Sequence, residues 1–168
     1  MRGELEQMAA QKLKKFRFLG TQPPHVVKEW MNQAKVFSVP SIRAENGAEE
    51  GLGMVFLEAA AMGLPVASFA TGGIPEAVEH GKSGYLAPER DHAKLSFYID
   101  ELLNKKQVWK SFSDYGQDRV RRQFDLYEQT RKIEELYKMV IAKQWNGDQS
   151  LSDSEDSILT PIIEAQPI

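Results

Sequence analysis

Apolar positions along the chain switch repeatedly between a helical and an extended period. Leu5, Met8, Ala9 and Leu13 recur at spacings of three and four, which predicts an amphipathic helix over 3–14. Phe16-Arg17-Phe18-Leu19 is a short apolar run closed by Gly20 and reads as a strand. Pro24 suits the first turn of a helix, and Val26, Val27, Trp30, Met31 and Ala34 give that helix one apolar face over 24–34. Val36-Phe37-Ser38-Val39 is a second strand, stopped by Pro40. A polar loop runs from Ser41 to Gly53, followed by a strongly apolar helix from Met54 to Met62 with Gly63 as its C-terminal cap. Val66-Ala67-Ser68-Phe69 is the third strand. Thr71 to Glu76 makes a tight turn into a short helix ending near His80, and Tyr85-Leu86-Ala87 is the fourth strand. Helical patterns then cover 91–103, about 106–122 and about 126–144.

Short strands alternating with helices predict βαβ units: an α/β fold with a partial Rossmann-like parallel sheet of about four strands, flanking helices and a helical C-terminal extension. A doubly wound sheet ordinarily opens on a strand. This one opens on a helix, which leads us to expect a domain over 1–145 entered partway through, its first strands and helix missing.

Composition narrows the field. The chain has 168 residues, 42% hydrophobic and 27% charged, ordinary values for a globular domain. With no Cys, it has no disulfide, thiolate zinc site or cysteine nucleophile. The net charge of −3 argues against a nucleic-acid partner. Asp148, Asp153, Glu155, Asp156 and Glu164 meet no Lys or Arg after Asn146, so 146–168 reads as an acidic, disordered tail. No apolar run approaches the ~20 residues of a bilayer span, and no secretory signal opens the chain. Cytoplasmic residence is the default expectation.

The chemistry concentrates in Glu50-Gly51-Leu52-Gly53-Met54…Glu58. Ligands of open α/β sheets bind at the carboxyl ends of strands beside helix N-termini, where free amides and the helix dipole welcome phosphate. Gly51 and Gly53 bare the backbone there. Glu58 stands eight residues past Glu50, roughly 12 Å along a helix. That suits one long polyhydroxyl ligand held at two places. It exceeds the about 5–9.5 Å of a glycoside hydrolase pair. Taken singly, Glu58 reads equally as a solvent-facing helix residue, Glu50 as a loop charge and the glycines as turn residues. A dinucleotide fingerprint fits poorly, since Phe56 stands at its third glycine. His25, His80 and His92 share no ligand spacing and read as surface or cap residues. Arg119, Arg121 and Arg122 read as a solvated basic face, with an anionic or membrane partner as the alternative. Leu95, Ile99, Leu102 and Leu103 form a core stripe, and Phe112, Tyr115, Phe124, Tyr127, Ile133, Leu136 and Tyr137 read as helix packing.

Six ordered segments carry a resemblance: Phe18-Leu19-Gly20, Ala34 to Ser41, Glu50-Gly51-Leu52-Gly53…Glu58-Ala59, Gly63-Leu64-Pro65-Val66, Thr71-Gly72-Gly73-Ile74-Pro75-Glu76, and Gly81 to Leu86. Over residues 3–140 the chain resembles the C-terminal, donor-binding domain of retaining GT-B glycosyltransferases of family 4 (glycosyl transferases group 1). Glu50 and Glu58 match that family's Glu-x7-Glu motif. The resemblance implies that Glu50 holds hydroxyls of the transferred sugar and is the catalytic candidate, and that Gly51, Leu52, Gly53 and Met54 face the sugar and diphosphate. It further implies that Glu58 holds the ribose and that Gly20, Thr21 and Gln22 line the base pocket. Ser41, Gly72 and Gly73 are second-rank cleft residues.

The implied reaction transfers sugar from a nucleotide-diphosphate sugar, UDP- or GDP-linked, to a sugar or lipid-linked acceptor in polysaccharide or glycolipid biosynthesis. No metal and no cofactor is implied, and contact with the inner face of a membrane would be peripheral. The family's strand with a Gly-Arg loop and its Lys-Gly pair, whose cations neutralise the leaving diphosphate, have no counterpart here, nor has the acceptor-binding domain. We therefore expect a fragment inactive alone, self-associating through an uncovered last helix. The alternative is a non-catalytic nucleotide-sugar or partner-binding remnant of a disrupted gene.

Overall fold

A computed structural model describes residues 2–145, and side chains through residue 142; the expected acidic tail lies outside the described residues. The element order is α1 (Arg2–Lys12), α2 (Pro24–Gln33), α3 (Met54–Ala61), β1 (Val66–Phe69), α4 (Ile74–Ala77), β2 (Gly84–Ala87), α5 (His92–Asn104), α6 (Lys106–Gln123) and α7 (Leu126–Trp145). β1 and β2 pair in parallel, in register from Val66 opposite Gly84 to Phe69 opposite Ala87. Gly84 is required there: a Cβ would stand 2.5 Å from the Val66 carbonyl oxygen.

The sheet is narrower than the expected four strands. Of the Val36–Val39 segment only Phe37 pairs: its N–H donates to Pro65 O (3.0 Å) and its carbonyl accepts from Ala67 N–H (2.9 Å), on the free edge of β1. Phe16–Leu19 forms no strand. A strand exists only where a neighbour completes its ladder, and this segment has none among the described residues. Phe16, Phe18 and Leu19 stay exposed.

Every residue of β1 is buried, and the two-residue alternation divides two cores. Val66 and Leu86 face Phe56, Leu57, Ala59, Ile74 and Val78. Ala67, Phe69 and Ala87 face Leu95, Leu102 and Phe112. Leu103, expected in the core stripe, is exposed instead. So are Tyr127, Ile133 and Tyr137, because α7 packs only lightly against the other described elements.

α3 ends in a Schellman motif. Leu64 N–H donates to Ala59 O (2.9 Å), Gly63 N–H donates to Ala60 O (2.9 Å), and Gly63 sits at φ +71°. A Cβ on Gly63 would meet Ser113 Oγ of α6 at 2.8 Å, so the same glycine lets α6 close on α3.

α4 stops at Ala77, three residues short of His80. His80 is exposed and serves as a cap, as expected: its Nδ1 accepts the N–H of Leu86 (3.0 Å), satisfying the backbone of β2. Arg119, against expectation, is not part of a solvated face. It donates through Nη1 to Ala77 O (2.8 Å) and through Nη2 to Glu76 O (2.6 Å), and lies over Phe124. Beside it, Glu79 binds Lys82 and accepts from the Tyr115 hydroxyl.

Hydrogen bonding by Lys82, then Tyr115, holds the Glu79 carboxyl below its ordinary 4.5. The Glu79 bond pushes Tyr115 above its ordinary 10.0. A lowered carboxyl adds stability that is present above pH 4.5 and lost as pH falls through the folded value. A raised phenol adds stability that is present below pH 10.0 and lost as pH rises through the folded value. Urea midpoints recorded from acid to alkali should show the wild-type advantage over Glu79→Gln at neutral pH and its decline at both extremes. A pH-independent difference would remove Glu79 as the titrating group.

Candidate functional site

The carboxyl end of the sheet is assembled by hydroxyl-to-carbonyl bonds. Ser68 Oγ on β1 donates to Val39 O (2.7 Å), and Thr71 Oγ1 just beyond β1 donates to Ser41 O (2.8 Å). Pro40 and Ser41 are thereby pinned beside the end of β1, where ligands of open α/β sheets bind.

From there the chain makes a closed excursion. Ala44 N–H donates to Ala48 O and Gly47 N–H to Ala44 O, both 2.9 Å. Arg43 pairs with Glu49, and its backbone N–H donates to Glu89 Oε1 (3.0 Å) from the turn after β2. This excursion returns Glu50 to the end of β1. The Glu50 carbonyl accepts the Gly73 N–H (2.9 Å). A Cβ on Gly73 would lie 1.6 Å from Gly51 O, and one on Gly72, at φ +51°, 2.2 Å from Glu50 O. Two loops therefore meet backbone to backbone. The Thr71–Gly73 turn grips both ends of the excursion, through Ser41 and through Glu50.

Gly53 is the N-cap of α3 at φ +70°, ψ +66°, a left-handed conformation that favours glycine. A Cβ there would strike the Phe56 ring at 2.5 Å. Among the described residues the amides of Gly51, Leu52 and Gly53 donate to no backbone acceptor. With Met54 at the first helical position, they form a shelf of N–H groups at the positive end of α3, exposed at Gly51, partly buried at Leu52 and buried at Gly53.

Glu58 is exposed, four residues along from Met54 and therefore on the same helix face. Neither the Glu50 nor the Glu58 carboxylate has an ion pair or side-chain hydrogen bond among the described residues. In sequence the unpartnered amides are preceded by Glu50 and followed, one turn into α3, by Glu58.

The remaining candidates stand apart. Gly20 is left-handed (φ +67°), Thr21 is exposed, and Gln22 Nε2 donates to Leu19 O. No hydrogen bond or ion pair among the described residues joins them to Glu50 or Glu58. Thr71 and Arg43 escaped the sequence reading. A hydroxyl beside Gly-Gly was the only signal for the first, and nothing local marks the second. Among the described residues no cluster of His, Asp or Glu could hold a metal, and no helix is long and apolar enough to cross a membrane.

The fold is an open parallel α/β domain with the Gly51–Gly53 amides near the carboxyl end of β1. The family model for glycosyl transferases group 1 matches residues 2–119, and the chain belongs to that family. A putative colanic acid biosynthesis glycosyltransferase, WcaL, of Salmonella typhimurium is 34% identical over 122 residues, covering 72% of this chain and 30% of the relative. The amylovoran biosynthesis glycosyltransferase AmsK of Erwinia amylovora is 41% identical over 86 residues, 51% of this chain and 21% of AmsK. The chain thus spans less than a third of the length of these curated relatives.

In three dimensions it matches Anabaena Alr3699/HepE, solved with UDP and glucose, at TM-score 0.71 and 24% identity, covering 82% of this chain and 36% of that one. It matches the C-terminal domain of a group 1 glycosyl transferase, LpcC, from Francisella tularensis at TM-score 0.61 and 22% identity, covering 74% and 63%. These likenesses establish the fold, that of a GT-B C-terminal domain.

Gly73→Ala should cost about 1–3 kcal/mol through the forced separation of the two loops. Gly51→Ala, where a Cβ meets nothing within 4 Å, should stay within about 0.5 kcal/mol of wild type. Equal losses in thermal denaturation would show that backbone contact does not set the requirement.

Proposed function

We propose that this chain is the donor-binding part of a retaining glycosyltransferase that uses a nucleotide-diphosphate sugar in polysaccharide or glycolipid biosynthesis. The observation that carries the reading is the amide shelf of Gly51, Leu52 and Gly53 at the head of α3, preceded by Glu50 and followed by Glu58, whose carboxylates have no partner among the described residues. The relatives named for colanic acid and amylovoran biosynthesis support the polymer context. The fold shared with a chain solved with UDP and glucose supports the donor class.

In this reading the shelf amides and the positive end of α3 take the sugar and diphosphate. Glu50 holds sugar hydroxyls beside the reacting carbon. Glu58 accepts from the ribose diol through charge-assisted hydrogen bonds. Gly20, Thr21 and Gln22 line the base pocket, and UDP- and GDP-linked donors are the first to test. Transfer with retention depends on positioning and on neutralising the departing diphosphate. The shelf supplies part of that neutralisation. The matched relatives extend well beyond the shared region, and to that remainder we assign the acceptor site and the further cations. The 168 residues alone then bind donor weakly and transfer negligibly. The exposed apolar side chains of α7, among them Leu126, Tyr137 and Ile141, support self-association.

Calorimetric titration with UDP-, GDP- and ADP-sugars tests the reading. Loss of a charge-assisted contact of about 1.5–3 kcal/mol should weaken binding in Glu58→Ala roughly 10- to 100-fold, without loss of stability. Unchanged affinity would leave Glu58 without a ligand role. A labelled-sugar assay should show no turnover by the chain alone, and turnover would overturn the division of labour. Light scattering should report species larger than a monomer at high concentration; a monodisperse monomer would count against the α7 face.

A further inference from the structure

Arg119 lies on α6, outside the donor shelf, yet the structure ties it to that shelf in three steps. Its guanidinium donates to the carbonyls of Glu76 (2.6 Å) and Ala77 (2.8 Å), the last two residues of α4. One planar fork thus caps two otherwise orphaned carbonyls, a geometry lysine cannot copy. Its side chain is only 12% exposed; Phe124 lies 5.0 Å from it on one side, and Glu79, itself bonded to Tyr115 of α6, stands at 3.8 Å.

α4 is a single turn, and it is rigid because Ile74 and Ala77 are buried, as is Val78 behind them. Its other end is Gly73, where Glu76 N–H returns to Gly73 O (3.0 Å) and Ile74 N–H to Thr71 O (3.1 Å). Gly73 in turn bears on the backbone of Glu50 and Gly51, with no room for a methyl group between them. A shift of α4 along its axis therefore moves the surface against which the amide shelf rests.

We propose that Arg119 is a positioning residue for the donor shelf, acting through α4 and the Thr71–Gly73 turn. The proposal rests on the reading of Gly51–Gly53 as the donor site, but its structural half is measurable without a donor. Arg119 touches no ligand in this scheme. It fixes the height of Gly73, and so the direction of the Gly51, Leu52 and Gly53 amides.

The test compares Arg119→Ala with Leu102→Ala, a core truncation in the cluster on the opposite face of β1. Both lower the melting temperature. Only Arg119→Ala should move the amide resonances of Gly51, Gly53 and Gly73, and only it should weaken UDP- or GDP-sugar binding, by about tenfold. Ethylguanidinium added to Arg119→Ala should return both readouts toward wild type, which a general loss of stability would not permit. Unmoved glycine resonances in Arg119→Ala, or equal shifts in Leu102→Ala, would overturn the proposal. Should Arg119→Ala not fold, Arg119→Lys carries the same comparison, with a smaller shift expected because one donor replaces a fork. If the wild-type chain binds no nucleotide sugar, the donor reading fails while the glycine resonances still decide the positioning role.

Discussion

The meeting of the Thr71–Gly73 turn with the backbone of Glu50 and Gly51 is the contact on which the site depends. Peptide units of two loops lie against each other with no side chain between them, and the Gly73 N–H donates into the Glu50 carbonyl. Such proximity exists only where Cβ atoms are absent. One consequence is that the amides of Gly51, Leu52 and Gly53 are left without a backbone acceptor among the described residues. Another is that the excursion over 42–49 can remain exposed and polar while its exit is held: the constraint lies at its two ends, Ser41 and Glu50.

The sheet supplies the platform with little material. Two four-residue strands, with bridging residues Phe37 and His80, give a short ladder that places the end of β1 beside Ser41. The alternation of Val66 and Ser68 against Ala67 and Phe69 presents both faces to packed helices, so the short ladder is buried on each side. Ser68, fully buried, is satisfied by Val39 O, and so becomes a link between segments at little desolvation cost. Hydroxyls at Ser68 and Thr71 set the carboxyl edge where apolar residues would have served burial equally well.

The belts of α3 were legible as residues because their signals are local. A left-handed glycine, an apolar stripe of period 3.6 and a capping glycine act within one turn of themselves. Gly53, Met54 to Met62 and Gly63 were read close to where they stand. The helical length read between Glu50 and Glu58 was not legible, because α3 begins only at Met54 and Glu50 lies in the loop before the left-handed Gly53. Phe16–Leu19 was misread because a strand is not local: its apolar run needs a pairing neighbour, and none of the described residues supplies one. Arg119 was misread for the same reason. In sequence it stands beside Arg121 and Arg122 as one of three cations; in space its fork meets carbonyls more than forty residues away.

The amino-acid order by itself determined the helices, the buried strand Val66–Phe69 and the glycine positions, since each follows from periods and backbone freedom within short windows; the family was legible only as a resemblance carried by six ordered segments. Only the tertiary structure decided that Gly72 and Gly73 support the shelf as packing partners, that Thr71 holds Ser41, and that one arginine of a basic run caps α4. Those are meetings between distant segments. Their existence depends on how two packed layers bring carbonyls and donors within about 3 Å, a distance no spacing along the chain encodes.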